Sequence, residues 1–227
     1  MGFAEEHGIR WLAFDIDGTL YPKAQMDRRL ALGALPALCF SLRFNSMRQK
    51  IRKEDGTERR EITSLDDLLR RECRVMYGPG ADFEKFRRKA EAQDRRWEKL
   101  FSTIKPYDGM REAMAEASQG YSLAALSDFP LFSKLETLGV SQYFSYSAST
   151  NDSGAFKPAP APFLSLLKAT GAEPEEVLYV GDSEMKDIKG AKRAGMRAAL
   201  ISPHSSKVYS EADVVFRTWT EFRDLVL

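Results

Sequence analysis

At 227 residues, with 43% hydrophobic and 30% charged side chains, the chain can bury the core of one folded unit carrying a sizeable insertion, and is too apolar to be disordered. A formal net charge of +1 excludes a polyanion-binding signal at the level of the whole molecule. Two cysteines, Cys39 and Cys73, without CxxC or Cys/His spacing, exclude a zinc-type thiolate site and read as reduced, semi-buried thiols of a cytosolic protein.

The opening MGFAEEHGIRW lacks a cationic stretch followed by an apolar run, and no apolar segment is long enough to span a bilayer, so a cytoplasmic location without membrane contact is expected. Residues 9–14 form a short apolar run ending in Asp15, the pattern of a buried strand, and the turn-forming sequence GTLYP follows. The period then becomes helical. Leu30, Leu32, Leu35, Leu38 and Leu42 mark an apolar helix kinked or broken at Pro36. Residues 51–61 are polar, contain Gly56 and predict a loop. A second helix starts near Ser64, with Asp66 and Asp67 in its first turn. Residues 77–80, YGPG, break the chain, and Phe83, Phe86, Ala90 and Trp97 mark a third helix ending before Pro106.

Residues 20–107 therefore predict an all-helical insert, and its charge differs from that of the rest. It holds 21 Lys and Arg against 13 Asp and Glu, whereas the remainder holds 13 basic and 20 acidic residues. A basic segment set into an acidic body points to two subregions with different tasks.

Beyond Asp108-Gly109 strands alternate with helices. Residues 121–126 read as a strand ending in Ser127-Asp128, 131–138 as a helix closed by Gly139, and 143–147 as a weak strand. A helix over 163–169, a strand over 177–180 ending in Gly181-Asp182, a helix over 188–194 closed by Gly195, and strands over 198–201 and 214–216 complete the pattern. Such alternation implies an α/β fold, a mostly parallel sheet covered on both faces.

The chemically capable residues lie just past strand ends: Asp15 and Asp17 after the first strand, Ser127 after the second, Asp182 after a later one. In a parallel sheet those ends share one edge, where ligands bind. Asp15 is a candidate covalent nucleophile. A carboxylate attacks a phosphate dianion only when positive charge screens the approach, which an oxygen-ligated Mg²⁺ would supply. Asp182 and Asp187 are candidates to build that ion site, Lys157 to add a fixed cation, and the Ser127 hydroxyl to donate to a phosphoryl oxygen.

The run Asp15-Ile16-Asp17-Gly18-Thr19-Leu20 resembles the first motif of the haloacid dehalogenase-like hydrolases. Ser127, Lys157-Pro158 and Gly181-Asp182-Ser183 with Asp187 are similar to its second, third and fourth motifs, in order. The resemblance implies a Rossmann-like three-layer α/β/α core (1–20 and 108–227) with a helical cap (21–107) inserted after the first strand. It implies a phosphatase in which Asp15 forms an aspartyl-phosphate, Asp17 works as general acid and base, and Ser127 and Lys157 hold the phosphoryl oxygens. It further implies Mg²⁺ between Asp15, the main-chain carbonyl of Asp17 and Asp182, with Thr19, Ser183 and Asp187 in support. Asp187 would orient Lys157 or a metal-bound water. Asp128 is a candidate substrate-binding residue standing where many relatives carry Asn, and its carboxylate also suits the cap of a helix starting near Pro130. Tyr21-Pro22 is similar to some pyrimidine nucleotidase-like members.

The expected substrate is a small phosphorylated metabolite. A phosphomutase shares all four motifs. A dehalogenase is disfavoured, because it needs no acid for an alkoxide and relatives of that type usually lack the second Asp. A different class is a non-catalytic module binding anions or nucleic acid through arginine pairs such as Arg28-Arg29 and Arg95-Arg96; the interspersed acidic residues argue against nucleic acid. His7 and His204 match no motif and read as surface residues, and Trp11, Trp97 and Trp219 as packing residues.

Overall fold

The computed structural model describes residues 1–34, 38–56, 58–131, 133–203 and 211–227. Six strands form one parallel sheet in the order β3-β2-β1-β4-β5-β6: β1 Trp11–Phe14, β2 Ser122–Ser127, β3 Phe144–Ser149, β4 Val177–Gly181, β5 Arg197–Ile201 and β6 Val214–Phe216. The strand order reverses at β1, which pairs Phe14 with Ala125 of β2 on one side and with Val180 of β4 on the other. A crevice opens at such a switch point, beyond the carboxyl ends of the two inner strands.

Alternate residues of each strand feed two different cores, as the two-residue repeat of a pleated strand requires. Leu12, Phe14, Leu123, Ala125, Leu178 and Val180 pack with α6 (Met110–Gly120) and α10 (Trp219–Val226) on one face. Ala13, Ala124, Leu126, Val177 and Tyr179 pack with α8 (Pro160–Thr170) and α9 (Lys189–Arg193) on the other. Every residue of β4 is buried, which explains its unbroken apolar run. The edge strand β3 alternates half-buried and exposed positions over its first four residues, which is why its sequence signal is weak.

Among the described residues, four helices follow β1 ahead of α6: α2 Lys23–Ala34, α3 Leu38–Asp55, α4 Leu65–Tyr77 and α5 Phe83–Phe101. Ser64 caps α4 by accepting the Asp67 N–H, and the Asp67 carboxylate returns the bond to the Ser64 N–H; Asp82 caps α5 through the Lys85 N–H. Phe44, Phe86, Trp97 and Phe101 are buried among them, continuous with the first core.

The apolar stretch expected to kink or break at Pro36 lies in two helices, α2 and α3, and Leu35, Pro36 and Ala37 lie outside the described residues. Elsewhere the structure departs from the sequence expectations. The predicted loop at 51–61 begins late, because α3 runs on through Asp55: Ile51 is fully buried, and Arg52 and Lys53 suit the negative end of the helix dipole. Leu38 and Leu42 are exposed; the face of α3 turned inward carries Ser41, Phe44, Met47, Arg48 and Ile51. Cys39 is exposed and only Cys73 is buried. The helix expected over 131–138 is α7, Lys134–Leu138, and that expected over 188–194 starts as a π-type turn, Glu184–Ile188, before α9. Helices α1 (Phe3–Glu6), α6 and α10 were not anticipated. His204 lies outside the described residues. Trp97 and Trp219 are buried.

Candidate active site

The ends of β1 and β4 bring together the carboxylates that were far apart in sequence. Oxygens of Asp15, Asp182 and Asp187 all lie within 4.8 Å of one another. The chain permits this because Gly18 follows at φ +109°. A Cβ there would sit 2.4 Å from Asp182 Oδ2, so only glycine lets that carboxylate approach.

Asp15 is gripped on both oxygens. Thr19 Oγ1 donates to Oδ2 at 3.0 Å and Lys157 Nζ donates to Oδ1 at 2.6 Å. The Lys157 ammonium, 1% exposed, also donates to Asp187 Oδ1 at 2.7 Å and to Tyr179 Oη at 3.1 Å. Burial works against its charge, but Asp15 and Asp187 outweigh burial and hold it well above the usual lysine range. Burial pushes the Asp15 carboxyl up to about 8; Lys157 opposes this, and Asp187, Asp182 and Asp17 add to it. Burial and then Asp187 push Asp182 to about 6, against Lys23, Lys157 and Lys186. Ser183 shapes the loop, accepting from Lys186 N at 3.3 Å while its own N–H donates to Asp187 Oδ2 at 3.0 Å.

Three crowded carboxylates, two of them pushed toward neutrality by burial and mutual repulsion, are a donor set that a hard divalent cation fits. The side chain of Asp17 is not part of this cluster. It turns the other way and is fully engaged: Ser127 Oγ donates at 2.7 Å, the Lys134 ammonium at 2.7 and 2.8 Å, and the Tyr21 hydroxyl donates to Oδ1. Burial raises the Asp17 carboxyl, yet Lys134, Tyr21 and Ser127 outweigh it and hold the group below the usual range. The Ser127 hydroxyl, which in turn accepts the Phe129 N–H at 3.1 Å, thus spends its proton on Asp17 in this arrangement.

Asp128 does not cap a helix; α7 begins at Lys134 with Ser133 at its cap position. Its Oδ2 accepts from Arg52 Nη2 at 2.8 Å, and Oδ1 accepts from Thr150 Oγ1 and from the Lys157 N–H, both at 3.3 Å. Burial favours its neutral form, but Arg52, Lys157 and Lys186 outweigh burial and bring the carboxyl down to about 2. The next residue, Phe129, packs edge-on against Trp97 of α5 at 5.3 Å.

Sequence reasoning missed Lys134, Tyr179 and Arg52. Lys134 is 1% exposed, its ammonium 4.4 Å from the Phe101 ring centre. A lone lysine in a short helix carries no motif.

Comparison with known proteins agrees with this geometry. The family model described as haloacid dehalogenase-like hydrolase matches residues 9–195. The chain is 31% identical over 198 residues to a glyceraldehyde 3-phosphate phosphatase of Methanopyrus kandleri, covering 83% of this chain and 82% of that protein. It is also 31% identical over 198 residues to a phosphoglycolate phosphatase of Aquifex aeolicus, covering 85% and 84%. In fold alone it is similar to the crystal structure of a 2-haloacid dehalogenase from Pseudomonas syringae, with a TM-score of 0.64, 21% identity, and coverage of 95% and 97%. A parallel sheet whose switch point gathers the acidic loops, and a family match running from β1 past β4, have one reading: the chain belongs to the haloacid dehalogenase-like hydrolases.

Proposed function

We propose that the chain is a magnesium-dependent phosphatase that hydrolyses a small phosphorylated metabolite through an aspartyl-phosphate formed on Asp15. The observation that carries this reading is the placement of Asp15: one oxygen on Lys157 at 2.6 Å, and Asp182 and Asp187 within 4.8 Å. Asp15, Asp182 and the main-chain carbonyl of Asp17, with Asp187 beside them, would hold Mg²⁺, whose chemistry is to screen the charge between carboxylate and phosphate.

Asp15 attacks phosphorus as the bond to the leaving oxygen breaks; Lys157 holds a phosphoryl oxygen, and the Ser127 hydroxyl, turned away from Asp17 once that carboxyl is protonated, donates to another. Asp17 gives its proton to the leaving oxygen and regains one from the water that hydrolyses the acyl phosphate. Lys134 keeps Asp17 ionised at rest; a phosphate dianion brought beside it opposes Lys134 and favours the protonated carboxyl. Displacement of halide needs no such proton donor, and Asp17 with its lysine would have no task in it.

Residues 21–107 serve as a cap over a catalytic core of 1–20 and 108–227. The contact of Asp128 and Phe129 with α3 and α5 supports this, since a seated cap keeps bulk water from the acyl phosphate. The names of the two relatives favour a small phosphorylated carbohydrate or acid as substrate.

The test is phosphate release from p-nitrophenyl phosphate and a panel of phosphometabolites, with Mg²⁺ and with EDTA, in wild type and Asp15→Asn. Turnover that requires Mg²⁺ and disappears in the variant is expected. A wild type inert across the panel with Mg²⁺ would remove the reading.

A further inference from the structure

Arg52 leaves the inner end of α3 and reaches into the strand-end loops. Its Nε donates to the main-chain carbonyl of Lys157 at 2.9 Å, and its Nη2 donates to Asp128 Oδ2 at 2.8 Å. The other oxygen of Asp128 accepts the main-chain N–H of Lys157 at 3.3 Å. The three residues therefore close a ring of hydrogen bonds in which both main-chain polar groups of Lys157 are held, one by the helical insert and one by the loop after β2. The ring is shielded from solvent: the Arg52 and Asp128 side chains are 16% and 9% exposed, and the guanidinium lies over Phe156, 5.3 Å from its centre.

We propose that Arg52 is a positioning residue for the phosphoryl site, acting through the backbone of Lys157. The proposal deepens the phosphatase reading and rests on it for the role of Lys157. The Lys157 ammonium must stay beside Asp15 while contacting an incoming phosphate, so its main chain has to be fixed independently of its side chain. A guanidinium does this with two donors, Nε and Nη2, fixed in one plane and aimed at a carbonyl and a carboxylate, whereas a lysine ammonium is a compact point charge on a flexible stem without that rigid fork. The arrangement also accounts for an aspartate at position 128: its charge is matched by Arg52 and is not presented to the phosphate. Because Arg52 belongs to the insert, the phosphoryl site is complete only when the insert is seated.

The experiment measures binding of inorganic phosphate in the presence of Mg²⁺ by titration calorimetry. Inorganic phosphate has no leaving group and therefore reports the phosphoryl site alone. Arg52→Ala is expected to weaken it roughly tenfold or more, the scale of a lost charge-assisted hydrogen bond. Arg52→Lys should fail to restore it. Asp128→Asn should weaken it less, and the double variant Arg52→Ala/Asp128→Asn should be no weaker than Arg52→Ala alone. Arg88→Ala, which removes an equal charge from an exposed site on α5, should leave the affinity unchanged. Wild-type affinity in Arg52→Ala overturns the proposal, because Arg52 would then touch only the leaving group or merely hold the insert. An equal loss in Arg88→Ala also overturns it, in favour of a general field. Phosphate binding that follows the expected pattern in a protein that hydrolyses no phosphomonoester would sink the phosphatase reading and leave the positioning role standing. Hydrolysis with Arg52→Ala unimpaired in phosphate binding would do the reverse, and a wild type that neither binds phosphate nor hydrolyses any phosphomonoester overturns both.

Discussion

Lys134 places its ammonium 2.7 and 2.8 Å from the two carboxylate oxygens of Asp17, with its side chain wholly buried. Replacing it with methionine leaves that carboxylate in a dry site with only the Tyr21 and Ser127 hydroxyls. The proton is then lost less readily, so the alkaline limb of the rate profile, set by the need for a protonated Asp17 at the leaving oxygen, should move to higher pH, and kcat should fall by about 10²-fold, within the range of general acid-base contributions. Steady-state rates with p-nitrophenyl phosphate from pH 4.5 to 8.5 measure both. An unmoved limb would mean that Lys134 serves packing alone.

The acidic cluster makes stability depend on pH in a direction that can be worked out. Asp15 is pushed up to about 8 and Asp182 to about 6, against about 4 for an unfolded aspartate. Between these values the folded chain binds more protons than the unfolded one, so stability falls as pH rises through that window. Asp128, brought down to about 2, has the opposite sign but titrates below it. The metal-free Tm should therefore drop from pH 5 to pH 8, and Mg²⁺ should raise it more at pH 8 than at pH 5. Scanning calorimetry with EDTA and with Mg²⁺ shows this; a Tm that is flat across the window contradicts it.

Gly18 has no room for a side chain. Alanine would bring Cβ to 2.4 Å from Asp182 Oδ2 and would stand at φ +109°. Backbone strain of that kind costs about 1–3 kcal/mol, and Asp182 would be displaced as well. Gly18→Ala should lower the Tm by several degrees and raise the Mg²⁺ concentration for half-maximal activity about tenfold. Activation curves over a Mg²⁺ series are the measurement, and an unchanged midpoint would separate Asp182 from the ion.

Inside the helical insert, Arg48 Nε donates to Glu72 Oε1 at 2.7 Å, the side chains being 10% and 0% exposed. Burial raises the Glu72 carboxyl and Arg48 opposes it. Losing one partner of a buried pair costs about 3–5 kcal/mol, whereas replacing both with apolar groups is often neutral or better. Glu72→Ala should be strongly destabilising in urea, and Arg48→Met/Glu72→Met should recover most of the loss. If the double variant is as unstable as the single one, the pair is more than an ion pair.

The strand-helix alternation and the buried runs before Asp15 and Asp182 were readable because a two-residue or helical period is local. The insert was readable as helical, yet its inward face was not. Ser41 and Arg48 of α3 turn inward while Leu38 and Leu42 are exposed, and what an insert packs against is not written in its own periodicity. The ring around Lys157 was equally invisible, since Arg52, Asp128 and Lys157 are 76 and 29 residues apart in succession and bear no motif together.

What the amino-acid order settles by itself is the local pattern: which runs become strands, and which acidic, hydroxyl and basic residues stand at their ends. What only the tertiary structure settles is who faces whom. Asp187 joins Asp15 and Asp182 around one point, whereas the Asp17 side chain, two residues from Asp15, turns to Lys134. The reason is that hydrogen bonds and charge pairing act over a few ångströms in space. Parallel strand pairing, not sequence distance, decides which groups come within that range.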